Sequence, residues 1–229
     1  MAAFGAAVDL GFGYVETDVH ATSDGVVVAF HDVDLDRVTD ARGRVADLAW
    51  ATVRAARIGG REPVPTLAEV LHTWPDLRVN IDLKSAQAVA PTVEVIERAG
   101  AHARVCLTSF SDTRRRAALR LLSRPVATSG GTRTVAAFRL AVGVRAGRAA
   151  TAAVRDVDCL QVPEHQGRLP VVTARTVAAA HTRGVQVHVW TVNDPVDMHR
   201  LLDLGVDGLV SDRADLLRDV LRERGQWGG

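Results

Sequence analysis

The feature that most constrains this chain is an alternation: short apolar or β-branched runs are followed, again and again, by longer stretches of helical period. That order specifies an α/β fold with parallel strands. Strand candidates are Tyr14 to Ala21, Val26 to Phe30, Val79 to Leu83, Val105 to Ser109, Val126 to Thr128, Cys159 to Val162, Gln186 to Thr191 and Gly208 to Ser211. Val26 to Phe30 follows the turn signal Asp24-Gly25, so it reads as a local hairpin arm, which leaves seven core strands.

The helices between the strands are marked at both ends. Leu67 to Trp74 follows Pro65-Thr66, Ala86 to Ala99 stops at Gly100, Asp112 to Leu122 follows Ser111, and Thr173 to Arg183 stops at Gly184. Pro195 to Leu204 and Ala214 to Glu223 stop before Gly205 and Gly225. Ser, Thr, Asp or Pro at the start and Gly just past the end are the expected punctuation. Arg133 to Arg155 is helical in composition without such signals. A helix-like segment, Ala2 to Leu10, comes before the first strand. Eight strands close a (β/α)₈ barrel of about 250 residues, so seven strands in 229 residues predict a TIM barrel that lacks its first strand. No repeat or linker interrupts the pattern, and residues 1–229 are expected to form a single domain.

Composition narrows the function. Lys and Arg number 28 against 27 Asp and Glu, so no net field favours nucleic acid or an anionic membrane, and aromatic residues at 4% provide no stacking platform. Any phosphate recognition must be local. Cys106 and Cys159 each sit in an apolar run and read as thiols. Without a signal-like start or a transmembrane segment, a cytoplasmic protein is expected.

In a barrel the chemistry gathers at the C-terminal strand ends. In the first strand Glu16, Asp18 and His20 share one face by the period of two. Three ionisable groups there are costly to bury unless they bind something, although an edge strand could turn them to solvent. Asp82 and Lys84 share a face in Asn80-Ile81-Asp82-Leu83-Lys84, either completing an all-oxygen site for Ca²⁺ or Mg²⁺ or forming a structural ion pair. Lys84 could meet a phosphate oxygen, and His31, closing the hairpin run, could act as general acid or base.

Glu16-Thr17-Asp18-Val19, Thr22-Ser23-Asp24-Gly25, Val28-Ala29-Phe30-His31-Asp32 and Leu35-Asp36-Arg37-Val38-Thr39, in this order and spacing, resemble the signature of the glycerophosphodiester phosphodiesterase family. Val64-Pro65-Thr66-Leu67, Asn80 to Lys84, Thr108-Ser109-Phe110, Val189-Trp190-Thr191-Val192-Asn193 and Gly205 to Asp212 extend the resemblance over nearly the whole chain. It implies a barrel of the PLC-like phosphodiesterase type. It also implies a divalent metal, Ca²⁺ or Mg²⁺, held by Glu16, Asp18 and Asp82, with His31 in acid/base work, Lys84 on the phosphate and Trp190 lining the substrate pocket. The family more often has Glu where this chain has Asp82. The implied reaction hydrolyses a small-molecule glycerophosphodiester to sn-glycerol 3-phosphate and an alcohol. The family's second histidine lies in a His-Arg-Gly turn before a Glu-Asn-Thr element, and Met1-Ala2-Ala3-Phe4 resembles the helix that follows it. The alternatives are a barrel that binds phosphodiester and metal without turnover, or a related phosphodiesterase of phospholipid head groups.

Overall fold

The computed structural model describes residues 1–228, which fall into two compact units, 1–127 and 128–228. The first unit contains α1 (Ala2–Asp9), β1 (Tyr14–Ala21), β2 (Val27–Ala29), α2 (Trp50–Ala55), β3 (Arg57–Ile58), β4 (Glu62–Pro63), α3 (Leu67–Thr73), β5 (Arg78–Leu83), α4 (Val89–Arg98), β6 (Val105–Thr108) and α5 (Asp112–Leu121), and its sheet ends on β7 (Ala127–Thr128). β1 is central. It pairs parallel with β5, placing Asp18 opposite Asp82 and Glu16 opposite Asn80, and antiparallel with β2, placing Val19 opposite Ala29. β5 pairs parallel with β6. The β1–β2 turn forms because Gly25 takes φ 85° without a Cβ to obstruct it and Thr22 donates to Asp24 at 2.6 Å.

Alternation decides which side chains this sheet buries against its helices. Val19, Val79, Ile81, Leu83, Val105 and Leu107 pack with Leu67, Val70, Leu71, Val93 and Ile96, each such aliphatic side chain stabilising the fold by about 1.5–3 kcal/mol. α3 starts in register because Thr66 and Glu69 form a reciprocal capping box, and α5 starts on the Ser111 hydroxyl. Between β2 and α3 the chain makes an excursion with its own small core of Val28, Phe30, Leu35, Val45, Val53, Ala56 and Val64.

The second unit contains α6 (Thr132–Gly143), α7 (Gly147–Ala153), β8 (Cys159–Pro163), β9 (His165–Gln166), β10 (Leu169–Pro170), α8 (Ala174–His181), β11 (Gln186–Trp190), α9 (Pro195–Asp203), β12 (Gly208–Leu209) and α10 (Ala214–Glu223). β11 lies between β8 and β12, parallel to both. The punctuation read from sequence operates here: Asp194 caps α9 with Pro195 in the first turn, and Gly205 follows that helix at φ 92°. The unpunctuated stretch is two helices, broken where Arg145 takes φ 58°.

All seven expected core strands form, and the fold class is α/β as the alternation required. α2 and the short β3–β4 and β9–β10 ribbons were not legible. Each is too short for a hydrophobic period to declare itself. Cys159 is buried and Cys106 only half-buried, and neither is in a disulfide. Among the described residues no helix is long and apolar enough to cross a membrane.

Candidate active site

Four of the residues singled out from sequence come together at the C-terminal ends of β1, β2 and β5. Register puts Asp18 and Asp82 side by side on adjacent strands, and Lys84 reaches back from just beyond β5 to both. Its Nζ is 2.7 Å from Asp18 Oδ1 and 2.7 Å from Asp82 Oδ2. The other oxygen of Asp18 faces His31 Nε2 at 3.7 Å. His31 is there because Phe30 N–H donates to the Asp18 carbonyl at 3.0 Å, and because the buried His20 ring donates from Nε2 to the His31 carbonyl at 3.3 Å.

The electrostatics are those of a partly desolvated ion cluster. Burial, only partly offset by Lys84, raises the Asp82 carboxyl above its ordinary value. Burial opposes the charge on Lys84, but its hydrogen bonds to Asp18 and Asp82 prevail and lift its pKa, so the ammonium is kept. Burial lowers the His20 imidazole despite its bond to the His31 carbonyl. Asp82 Oδ1 is buried without a hydrogen-bond partner, a lone-pair-rich position that costs free energy unless a cation or donor reaches it.

Glu16 is half-buried one step earlier on the same face of β1, opposite Asn80. Among the described residues no three His, Cys, Asp or Glu side chains converge as a ready-made metal cage. Lys84 takes the place between the two aspartates instead. The all-oxygen donor set and the unpartnered Asp82 oxygen nevertheless fit a hard divalent cation. Trp190 ends β11 in the second unit, half-buried and in register with Pro163. Near it, Asn193 joins two of the sequence motifs: it accepts from Ser211 at 3.0 Å and donates to Asp212 at 3.0 Å.

Sequence reasoning gave no part to several neighbours. Phe110 covers Lys84 with its ring centroid 5.2 Å from Nζ, a cation–π contact. Arg114 and Ser109 both donate to the Leu83 carbonyl, at 2.6 and 2.8 Å, fixing the backbone from which Lys84 projects. Asp32 bonds His31 Nδ1 at 2.7 Å and is itself gripped by Arg37. The available signal was the short spacing of these charges around His31. The glycine-rich turn after Thr128 is structural, since Ser129 accepts from Gln161 N–H and a Cβ on Gly130 would meet Thr134 at 2.6 Å.

His31, Asp32, Val33, Asp34, Asp36 and Arg37 line an open depression of about 430 Å³. A crevice of about 20 Å³ in the second unit, walled by Phe138, Leu160, Val162 and Val172 among others, has no carboxylate or histidine in its lining and offers no chemistry.

A carboxylate pair, an ammonium and an imidazole thus stand together at strand ends of an α/β protein, groups of the kind that can meet a phosphoryl group and move a proton. The sequence profile of the Glycerophosphoryl diester phosphodiesterase family matches residues 1–216. The chain is 50% identical over 229 residues to the "Probable glycerophosphodiester phosphodiesterase 2" of Mycobacterium tuberculosis, covering all of this chain and 87% of that one. It is 27% identical over 241 residues to a glycerophosphodiester phosphodiesterase of Caldanaerobacter subterraneus, covering 98% of this chain and 92% of that one. Two solved structures share its fold: the Thermotoga maritima glycerophosphodiester phosphodiesterase (TM-score 0.74, 21% identity, 96% of this chain and 90% of that one) and an Oleispira antarctica phosphodiesterase in complex with the product sn-glycerol-3-phosphate (TM-score 0.76, 21% identity, 96% and 89%). This chain belongs to the glycerophosphoryl diester phosphodiesterase family, a family of phosphoric diester hydrolases with a TIM-barrel type of fold.

Proposed function

We propose that this protein hydrolyses glycerophosphodiesters, such as glycerophosphocholine or glycerophosphoethanolamine, to sn-glycerol 3-phosphate and an alcohol, with a divalent metal and histidine acid/base catalysis. One observation carries the reading: Lys84, Asp18, Asp82 and His31 converge within hydrogen-bonding or ion-pair distance at adjacent strand ends. Family membership and a structural relative bound to sn-glycerol-3-phosphate support the substrate class.

The roles follow from charge. A phosphodiester brings one negative charge and gains more on its equatorial oxygens and leaving group in the transition state, so fixed cations must stand there beforehand. Lys84 supplies one, held charged by the two aspartates. Asp18 and Asp82, with Glu16 behind them, would hold Ca²⁺ or Mg²⁺, which supplies Lewis-acid charge neutralisation when bound. His31, whose Nε2 faces Asp18 from an open position, protonates the departing alkoxide.

The test is release of glycerol 3-phosphate from glycerophosphocholine by the purified chain with Ca²⁺ or Mg²⁺, repeated with a chelator. Chelator-sensitive release supports the proposal. Metal binding by folded protein without any release points to a barrel that binds but does not turn over.

A further inference from the structure

Asp32 and Arg37 have no part in the reaction described above, yet they are joined to His31 in one line of hydrogen bonds. We propose that Asp32 is a positioning residue for His31, fixing the orientation and tautomer of its imidazole, and that Arg37 holds Asp32 to that task. This rests on the reading of His31 as the acid. His31 Nδ1 is 2.7 Å from Asp32 Oδ1, and an ionised carboxylate only accepts, so the bond places a proton on Nδ1 and turns Nε2 toward Asp18. When the acid acts, the Nε2–H bond breaks and an O–H bond forms on the departing alkoxide. The imidazolium becomes the neutral Nδ1–H tautomer without the ring having to turn.

Such a constraint is needed because the His31 side chain is 76% exposed and protein packing alone leaves it free to rotate. Arg37 supplies the fixed end. Its Nε donates to Asp32 Oδ2 at 2.6 Å and its Nη2 to Oδ1 at 2.9 Å, a two-pronged grip that sets the carboxylate plane. These bonds, from Arg37 first and His31 second, hold the Asp32 carboxyl down at about 2, so it stays ionised throughout the working range. With the Arg37 side chain 68% exposed, the pair contributes little to stability.

The backbone beneath is anchored as a positioning device requires. Leu35, fully buried between Asp32 and Arg37 in sequence, donates its N–H to the Gly43 carbonyl at 3.0 Å, and Val45 does the same to Val33 at 3.0 Å. Gly43 N–H in turn reaches the Asp36 carboxylate at 2.9 Å.

The test joins a spectroscopic and a kinetic readout. In ¹⁵N-histidine-labelled protein with neutral His31, the wild type should show the Nδ1–H form, and Asp32→Ala should revert to the Nε2–H form that an unconstrained imidazole favours. On glycerophosphocholine, Asp32→Ala should lower kcat roughly 100-fold and Arg37→Ala roughly 10-fold with KM within about twofold, the scale of a positioned proton donor. Arg37→Lys should fall between wild type and Arg37→Ala, because lysine cannot make the two-pronged grip. On a p-nitrophenyl phosphodiester of glycerol, whose phenolate leaves unprotonated, the same variants should stay within about threefold of wild type.

A wild-type tautomer and kcat in Asp32→Ala would overturn the proposal, as would equal losses on both substrates. His31→Ala is run alongside. If it keeps full turnover of glycerophosphocholine, the acid reading is at fault and the positioning role falls with it. If His31→Ala loses turnover and Asp32→Ala does not, only the positioning role falls.

Discussion

The strands β1 and β5 present two faces that follow opposite rules. On one, Val19, Val79, Ile81 and Leu83 join the helices in a continuous apolar core. On the other, the intervening residues Glu16, Asp18, His20, Asp82 and Lys84 are ionisable, and the two buried aspartates are held by the Lys84 ammonium that bridges them, while the buried His20 ring bonds the His31 carbonyl. The first face stabilises the fold by removing carbon from water, and the second carries desolvated charge at some cost for the sake of chemistry. One strand thus serves both ends through its period of two, and a slip of a single residue would exchange the faces and destroy both.

The largest effect should come from the polar face. His31→Ala should lower kcat by roughly 10²–10⁴-fold, the range of a general acid, while the open exposure of its side chain keeps the melting temperature within about 1 °C of wild type. Steady-state kinetics beside a thermal melt will check both halves. The opposite signature belongs to the apolar face. Ile81→Ala, at a fully buried site, should cost about 2–5 kcal/mol in a urea titration, with turnover per folded molecule kept.

Lys84→Met mixes the two. It leaves Asp18 and Asp82 facing each other without the ammonium, and should cost about 3 kcal/mol near neutral pH in chelator. Since burial already raises the folded Asp82 carboxyl above its unfolded value, its ionisation costs stability as pH rises through that value. The loss in Lys84→Met should therefore shrink as pH is lowered into the carboxylate range, and urea midpoints across pH will show whether it does.

The smallest effect concerns His20. Burial lowers its folded pKa below 6.5, so the unfolded chain takes up the proton first. Stability from this group is full above about pH 6.5 and is lost as pH falls through the folded value. His20→Gln, which keeps a donor for the His31 carbonyl, should flatten that slope between about pH 7.5 and pH 5.5, read from the same midpoints.

Much of this contrast was legible beforehand because both faces rest on local rules. The period of two placed Asp18 and His20 together and apart from Val19, and glycines and capping residues delimited the helices flanking each strand. Register was not legible: nothing in either strand says that Asp18 stands opposite Asp82, since pairing partners 64 residues apart are chosen by the whole sheet. For the same reason the open choice between a metal site and a structural ion pair at Lys84 could not be narrowed from sequence, where the ammonium's two contacts are invisible. Arg114, whose guanidinium crosses 31 positions to the Leu83 carbonyl, left no local trace at all.

The most direct test sets one variant from each face against wild type in a single assay of glycerol 3-phosphate release from glycerophosphocholine with Ca²⁺ or Mg²⁺, each sample matched for folded protein. The account predicts release by wild type and by Ile81→Ala, and loss of release in His31→Ala. Release that survives in His31→Ala, or that falls equally in Ile81→Ala, would contradict the assignment of the chemistry to the polar face.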